Sequence, residues 1–336
     1  MNQHIGNQTV VFGTPPVIIN TASIVGTKEG EGPLARFFDE VLTDDKWGEK
    51  TWEKAESKLQ RETALTALKK ADLPPSAVEY VLAGDLLNQC VGAHYGLRDL
   101  DIPFLGLYGA CSTMAESMSI GSMIIGGGYA NNVMCVTSSH FCSSEKQFRT
   151  PLEYGGQRSP SAQWTVTGAG CAILSSQGAG PKITRVTTGK IVDMGVTDLT
   201  NMGAAMAPAA VDTVTAHFKD TGLRPIDYDL ILTGDLGVVG SDIFTELMLA
   251  EGYDVLEEHK DCGKMIYNID EQDVHAGGSG CGCCGSVFCG YIYDELINGH
   301  LKDILVIATG ALMNPQMVNA GESIPSIAHA ISITMD

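Results

Sequence analysis

Two periods of apolar positions alternate along the chain, and each switch between them marks an element. Thr9 to Phe12 and Val17 to Ile19 are short β-branched runs separated by Pro15-Pro16, and each predicts a strand. The stretch that follows is polar to Lys50. Within it Lys28-Glu29-Gly30-Glu31-Gly32-Pro33 has turn chemistry, and Leu34, Phe37, Phe38, Val41 and Leu42 recur at helical spacing. A short amphipathic helix is expected there, in an arm or insertion over residues 20–50. From Thr51 to Ala71, Ala55, Leu59, Ala64, Leu65 and Leu68 fall on one side of a helix with charges interleaved, and Leu73-Pro74-Pro75 stops it. Val78 to Ala83 then predicts a strand ending in Gly84-Asp85-Leu86.

That strand occurs twice. Val81-Leu82-Ala83-Gly84-Asp85-Leu86 returns as Ile231-Leu232-Thr233-Gly234-Asp235-Leu236, every residue shifted by 150 positions. The lead-in returns too, with Leu73 and Pro75 matched by Leu223 and Pro225, each after a helical segment, Thr51 to Ala71 and Ala207 to Asp220. The first half continues through a helix at Gly92 to Asp99, a strand at Pro103 to Leu107, a helix after Cys111 and a strand at Val133 to Thr137. The second closes with a helix at Val287 to Asn298 and a strand at Ile304 to Ala308. Two similar βαβαβ halves imply parallel strands covered on both faces. The helix after Cys111 is rich in Ala, Ser, Gly and Met, so it is expected to be buried between two sheets.

The turn Gly109-Ala110-Cys111-Ser112 sits between the strand and that helix. Free N–H groups and the helix dipole at such a corner favour negative charge, so Cys111 is placed where a thiolate is stabilised or an anion is bound.

Composition narrows the function. The 21 basic and 40 acidic residues give a net charge of −19, which opposes a broad footprint on nucleic acid or anionic lipid, so no nucleic-acid partner is expected. With no export leader and no long apolar span, a cytoplasmic location is expected, and the ten cysteines are expected to be reduced. Cys281, Cys283, Cys284 and Cys289 have the spacing C-x-C-C-x4-C, which matches none of the usual zinc patterns. Buried small side chains are the expectation, and no metal site.

Two such halves, with a cysteine opening a buried helix, resemble the thiolase-like fold. The Gly109 to Ser112 turn is similar to the nucleophile turn of the β-ketoacyl-carrier-protein synthase III group, and Thr167-Gly168-Ala169-Gly170-Cys171-Ala172-Ile173-Leu174 to that group's Gly-Ala-Gly-Ala strand. A more specific resemblance is carried by Ala83-Gly84-Asp85-Leu86-Leu87-Asn88-Gln89, Glu153-Tyr154-Gly155-Gly156-Gln157, Met206-Ala207-Pro208-Ala209-Ala210 and Ala276-Gly277-Gly278-Ser279-Gly280-Cys281, which resemble the stage V sporulation protein AD family. The fold expected from these likenesses is α/β with five layers, α-β-α-β-α, residues 1–190 forming one half and 191–336 the other, paired as a two-fold homodimer.

Condensing enzymes of this fold need a His and an Asn, or a second His, from the second half to support the chemistry of the cysteine. Here Thr233-Gly234-Asp235-Leu236 stands where the first would follow its strand, and Gly277-Gly278-Ser279-Gly280 stands at the turn of the second. His140 and His275 are the histidines that could stand in; each could equally be an ordinary loop histidine. The family resemblance therefore implies a non-catalytic protein that binds dipicolinic acid, pyridine-2,6-dicarboxylate, during its uptake into the developing spore. It also implies membrane proteins of the spore dipicolinate channel as partners, and a peripheral place at the forespore inner membrane. Cys111, backbone N–H groups at Ser112, Asn88, His140, Arg149, His275 and Ser279 are the expected ligand contacts. Asp85 and Asp235 are either ligand groups or helix caps. Arg149 is either a bidentate fork for a carboxylate or an ion-pair partner of Glu153. No resident cofactor is expected; binding of the ligand as a calcium chelate is the alternative to binding of the free dianion. The competing reading is an acyltransferase of the synthase III type with Cys111 as nucleophile.

Overall fold

The computed structural model describes residues 3–148 and 158–335. Ten strands make two equivalent sheets. The first contains β1 (Val17–Val25), β2 (Tyr80–Gly84), β3 (Phe104–Gly106), β4 (Asn132–Ser139) and β5 (Gly168–Ser175), in the order β1-β5-β4-β2-β3. The second contains β6 (Lys182–Thr188), β7 (Leu230–Thr233), β8 (His259–Asp261), β9 (Asp303–Ala311) and β10 (Ser326–Thr334), in the order β6-β10-β9-β7-β8. Corresponding strands run in corresponding senses: β2 is parallel to β4 and β3, and β4 is antiparallel to β5, just as β7 is parallel to β9 and β8, and β9 is antiparallel to β10. The repeated hexapeptide lies on β2 and β7, which hold the same place in the two sheets. Lys182 pairs with Val17 and joins the sheets edge to edge. β6, on the N-terminal side of residue 190, is laid down on β10 of the second sheet.

Seven longer helices cover these sheets: α1 (Trp52–Lys70), α2 (Val91–Leu97), α3 (Thr113–Gly126), α4 (Phe141–Phe148), α5 (Met202–Thr221), α6 (Gly237–Ala250) and α7 (Cys281–Val287). α3 packs on β4 and also on β9 and β10, while α7 packs on β4 and β5, so these two fill the space between the sheets. α1 lies on the outer face of the first sheet and α5 on that of the second, which gives the five α-β-α-β-α layers. Burial follows that position. Met114, Ala115 and Met118 of α3 and every residue of α7 are closed to solvent, which is why both helices are built from Ala, Ser, Gly, Cys and Met. Close approach explains the glycines of α7: a Cβ on Gly170 of β5 would meet the backbone of Gly285.

Several boundaries differ from the sequence expectation. Leu34 to Leu42 does not form an amphipathic helix; it holds a single helical turn at Ala35–Phe37 and a two-residue strand, Glu40–Val41, paired to Ile24 and Val25. Leu34, Phe38 and Leu42 are buried because the arm is pulled onto β1, not because a helix presents a face. The helix expected from Val287 begins earlier, at Cys281, and continues past a π-helical turn at Phe288–Ile292 to Ile297. No helix among the described residues is long and apolar enough to cross a membrane.

Candidate functional site

At the end of β3 the chain turns through Gly109 into one tight turn, Ala110–Ser112, from which α3 starts at Thr113. Ala110 is held at φ 50°, a left-handed conformation that costs a non-glycine residue about 1–2 kcal/mol. Local bonds hold it there: Ser112 Oγ donates to the Gly109 carbonyl at 2.7 Å, and Thr113 Oγ1 to the Ala110 carbonyl at 2.7 Å. Cys111 is thereby set at the floor of a cleft of about 560 Å³ between the halves. Leu86, Tyr108, Phe148, Met202, Leu312 and Met313 supply apolar wall, and Asn88, Ser144, Glu145, Arg158, Gln163, Thr200, Ser279 and Asn314 the polar groups.

The environment of Cys111 is the reverse of what its place on a helix predicts. Its thiol is 6 % exposed and pushed well above the ordinary cysteine range, first by burial and then by the charge of Asp235. Ser112 N–H, expected to be open to an anion, is spent on the Gly109 carbonyl at 3.0 Å. The turn is kept as a scaffold while its sulfur is kept protonated.

Asp235 is the centre of this arrangement. It follows β7, is fully buried, and takes three hydrogen bonds: from Gly280 N at 2.9 Å, Ser279 Oγ at 3.1 Å and Thr309 Oγ1 at 2.9 Å. Burial raises its pKa, and these donors oppose the rise. Its counterpart in the first half does something else. Asp85 accepts from Leu87 N at 2.8 Å and Ala93 N at 2.7 Å, which caps the segment leading into α2. It does not line the cleft; burial raises its pKa to about 6 against the pull of its backbone donors, and its charge, after burial itself, helps push the buried Glu56 up to about 8. The matching cap in the second half comes from Asp261, whose carboxylate accepts from Leu236 N, Gly237 N and Lys264 N. Asp261 thus takes over the capping, and Asp235 is left to face the sulfur. The repeated aspartates have diverged into a cap and a buried acid beside Cys111, and neither lines the cleft.

The two histidines are engaged elsewhere. His140 accepts at Nδ1 from Cys142 N (3.2 Å), donates from Nε2 to the Asp45 carbonyl (2.9 Å) and packs on Trp52; burial lowers its pKa. His275 is bonded through its ring to the Ser159 carbonyl and to Asp273. Neither lines the cleft, and no histidine does among the described residues. Asn88 stands at the rim, where Gln147 bonds both its N–H and its side chain. Ser279 is on the floor beside Cys111, turned to Asp235. Arg149 and the run 153–157 lie outside the described residues. Cys281, Cys283, Cys284 and Cys289 are closed to solvent in and just after α7, with Cys281 bonded to the Ser138 carbonyl at 2.9 Å. Among the described residues no group of three or more His, Cys, Asp or Glu is placed to hold a metal ion.

Other cleft residues carry no signal in the sequence. Arg158 donates to the Asp273 carbonyl at 2.7 Å and stacks 4.4 Å over Trp164, so its guanidinium is held flat at the cleft wall. Gln163 Nε2 bridges the carbonyls of Asp235 and Gly278 at 2.8 Å each, which ties the second-half turn to the segment before β5. Asn314 caps the helical turn Pro315–Asn319, which carries the far rim. Neither periodicity nor motif spacing distinguishes these residues, because the loops that bring them in follow no repeat.

A duplicated five-stranded sheet with a cysteine-bearing turn buried between its halves defines a thiolase-like protein. Solved structures agree: 3-oxoacyl-[acyl-carrier-protein] synthase III of Aquifex aeolicus VF5 covers 95% of this chain and 99% of its own at a TM-score of 0.58 and 13% identity. Human mitochondrial 3-ketoacyl-CoA thiolase covers 96% and 99% at a TM-score of 0.56 and 13% identity. At such identity the likeness concerns the fold. Sequence goes further: residues 6–334 match the family model of Stage V sporulation protein AD, and the chain is 45% identical to Stage V sporulation protein AD of Bacillus subtilis (strain 168) over 326 residues, 97% of this chain and 96% of the relative. The chain belongs to the stage V sporulation protein AD family, and its role is in sporulation.

Proposed function

We propose that the cleft is a binding site without turnover, and that its ligand is dipicolinic acid, taken up into the developing spore with a membrane transport assembly. One observation carries the reading: a fully buried carboxylate, Asp235, occupies the place beside Cys111 where an acyl-transfer site needs a basic or oxyanion-stabilising donor. A carboxylate there repels a developing oxyanion and holds the thiol protonated, so both halves of the condensing chemistry are opposed. The apolar walls suit a flat ring, and Arg158 and Asn88 offer donors for carboxylates. Glu145 in the same cleft and the net charge of −19 disfavour a bare dianion, which supports entry as the calcium chelate, with the metal held by the ligand. The family resemblance supports membrane-protein partners at the forespore inner membrane and a homodimer.

The second reading, an acyltransferase acting through Cys111, is favoured by the sulfur's position at the opening of α3. Calorimetric titration with dipicolinate, with and without calcium, tests the first reading on wild type, Cys111→Ala and Arg158→Ala. Saturable heat is expected for wild type, near-wild-type binding for Cys111→Ala, and a loss of about tenfold or more for Arg158→Ala. No heat from wild type under either condition overturns the ligand assignment.

A further inference from the structure

A second surface, separate from the cleft, lies between α1 and α2. The chain has only 21 lysines and arginines against 40 acids, yet Lys54, Lys58 and Arg61 of α1 and Arg98 just beyond α2 line one groove of about 370 Å³ together with Tyr95. The three α1 cations are spaced i, i+4 and i+7 and so share one face. The groove is preformed, because Gly96 lies directly against the Ser57 backbone and no side chain would fit between the helices there. Two of the cations are aimed by aromatic rings: Lys58 Nζ sits 4.5 Å from the Trp47 ring and donates to its carbonyl, and Arg98 lies 5.2 Å over Tyr95, which is 59% exposed. Two acids, Glu49 and Glu53, also line the groove, Glu53 is engaged by Lys146 at 2.7 Å, and Arg61 and Arg98 pair with their exposed sequence neighbours Glu62 and Asp99 at 2.8 and 3.6 Å, contacts that an incoming carboxylate can replace at little cost. Four lining cations against two lining acids leave the groove positive on a strongly negative molecule.

We propose that this groove docks an extended acidic segment of a partner protein. Charge complementarity selects the sign of the occupant. Its shape follows from spacing: successive cations four residues apart on α1 stand about 6 Å apart along the helix, and alternate side chains of an extended segment, which share one side, stand about 7 Å apart. A flat anionic bilayer could not enter the concavity and would repel the rest of the chain. No residue lines both groove and cleft, so an occupant here leaves the cleft open. This inference does not rest on the ligand assigned to the cleft.

The test is fluorescence anisotropy of a labelled oligo-glutamate peptide with the full chain, alongside flotation with vesicles of phosphatidylcholine containing phosphatidylglycerol. Saturable peptide binding that weakens with salt is expected, reduced at least about tenfold in the Lys54→Glu, Arg61→Glu double variant. It should be retained in a Lys260→Glu, Lys302→Glu control, with circular dichroism unchanged in both. Absence of peptide binding, equal losses in both double variants, or binding to the vesicles alone would each overturn the proposal.

Discussion

A single substitution of character governs the chemistry at the residue scale. Cys111 keeps the position of a nucleophile, but the carboxylate of Asp235 lies close to it, and burial and that charge act in the same direction on the thiol. Replacing the charge while keeping the shape should release it. In Asp235→Asn, alkylation of Cys111 by iodoacetamide near neutral pH is expected to be faster by about tenfold or more, the effect of one unit of pKa. An unchanged rate, measured by intact mass, would mean that burial alone silences the sulfur. A second buried acid belongs to the arm. Glu29 accepts from the Tyr267 hydroxyl and Thr167 N, and burial raises its pKa to about 7 from an ordinary 4.5. The folded chain holds a proton on Glu29 that the unfolded chain has released, so its contribution to stability is full below about pH 4.5 and is lost as pH rises through 7. Glu29→Gln should therefore raise the melting temperature at pH 8 relative to wild type and do so less at pH 6. A decrease of equal size at both pH values would contradict this account.

At the element scale the central feature is the contact of α7 with β5. A Cβ at Gly170 would overlap the backbone of Gly285, which belongs to a helix buried on every side and cannot withdraw. Gly170→Ala is expected to destabilise the protein by about 1–3 kcal/mol in chemical denaturation, although alanine is otherwise better tolerated in a strand than glycine. Undiminished stability would show that α7 can shift. The same elements show what was legible in the sequence. α1, β2 and β7 were readable because their apolar periods are long or repeated, and the duplication predicted the two-sheet layout. The arm at Leu34 to Leu42 was misread because burial against β1 placed apolar residues at intervals that mimic a helical face. The Cys111 turn and the Asp235 strand end were identified as positions, but the contact between them was not, because it joins residues from opposite halves. Arg158 and Gln163 were missed for a similar reason: each acts through loop carbonyls that tertiary structure alone brings near.

At the scale of the whole molecule, the proposed reading has duplication followed by divergence turn a catalytic scaffold into a binding one. Both halves keep the strand, the aspartate and the following helix, yet Asp85 caps its helix while Asp261 has taken that duty in the second half. Asp235 was thereby released to face the interface between the sheets, where the cleft opens. The cleft has apolar walls, and Asp235 is buried beneath its floor beside Cys111.

The account stands on the claim that this cleft holds a ligand and does not turn one over. Incubation of the full chain with acyl-CoA, followed by intact-mass analysis and assay of acyl transfer to an acceptor, tests that claim most directly. The predicted result is an unmodified Cys111 and no transfer above the uncatalysed rate. An acyl group on Cys111 that passes to an acceptor at enzymatic rates would contradict it.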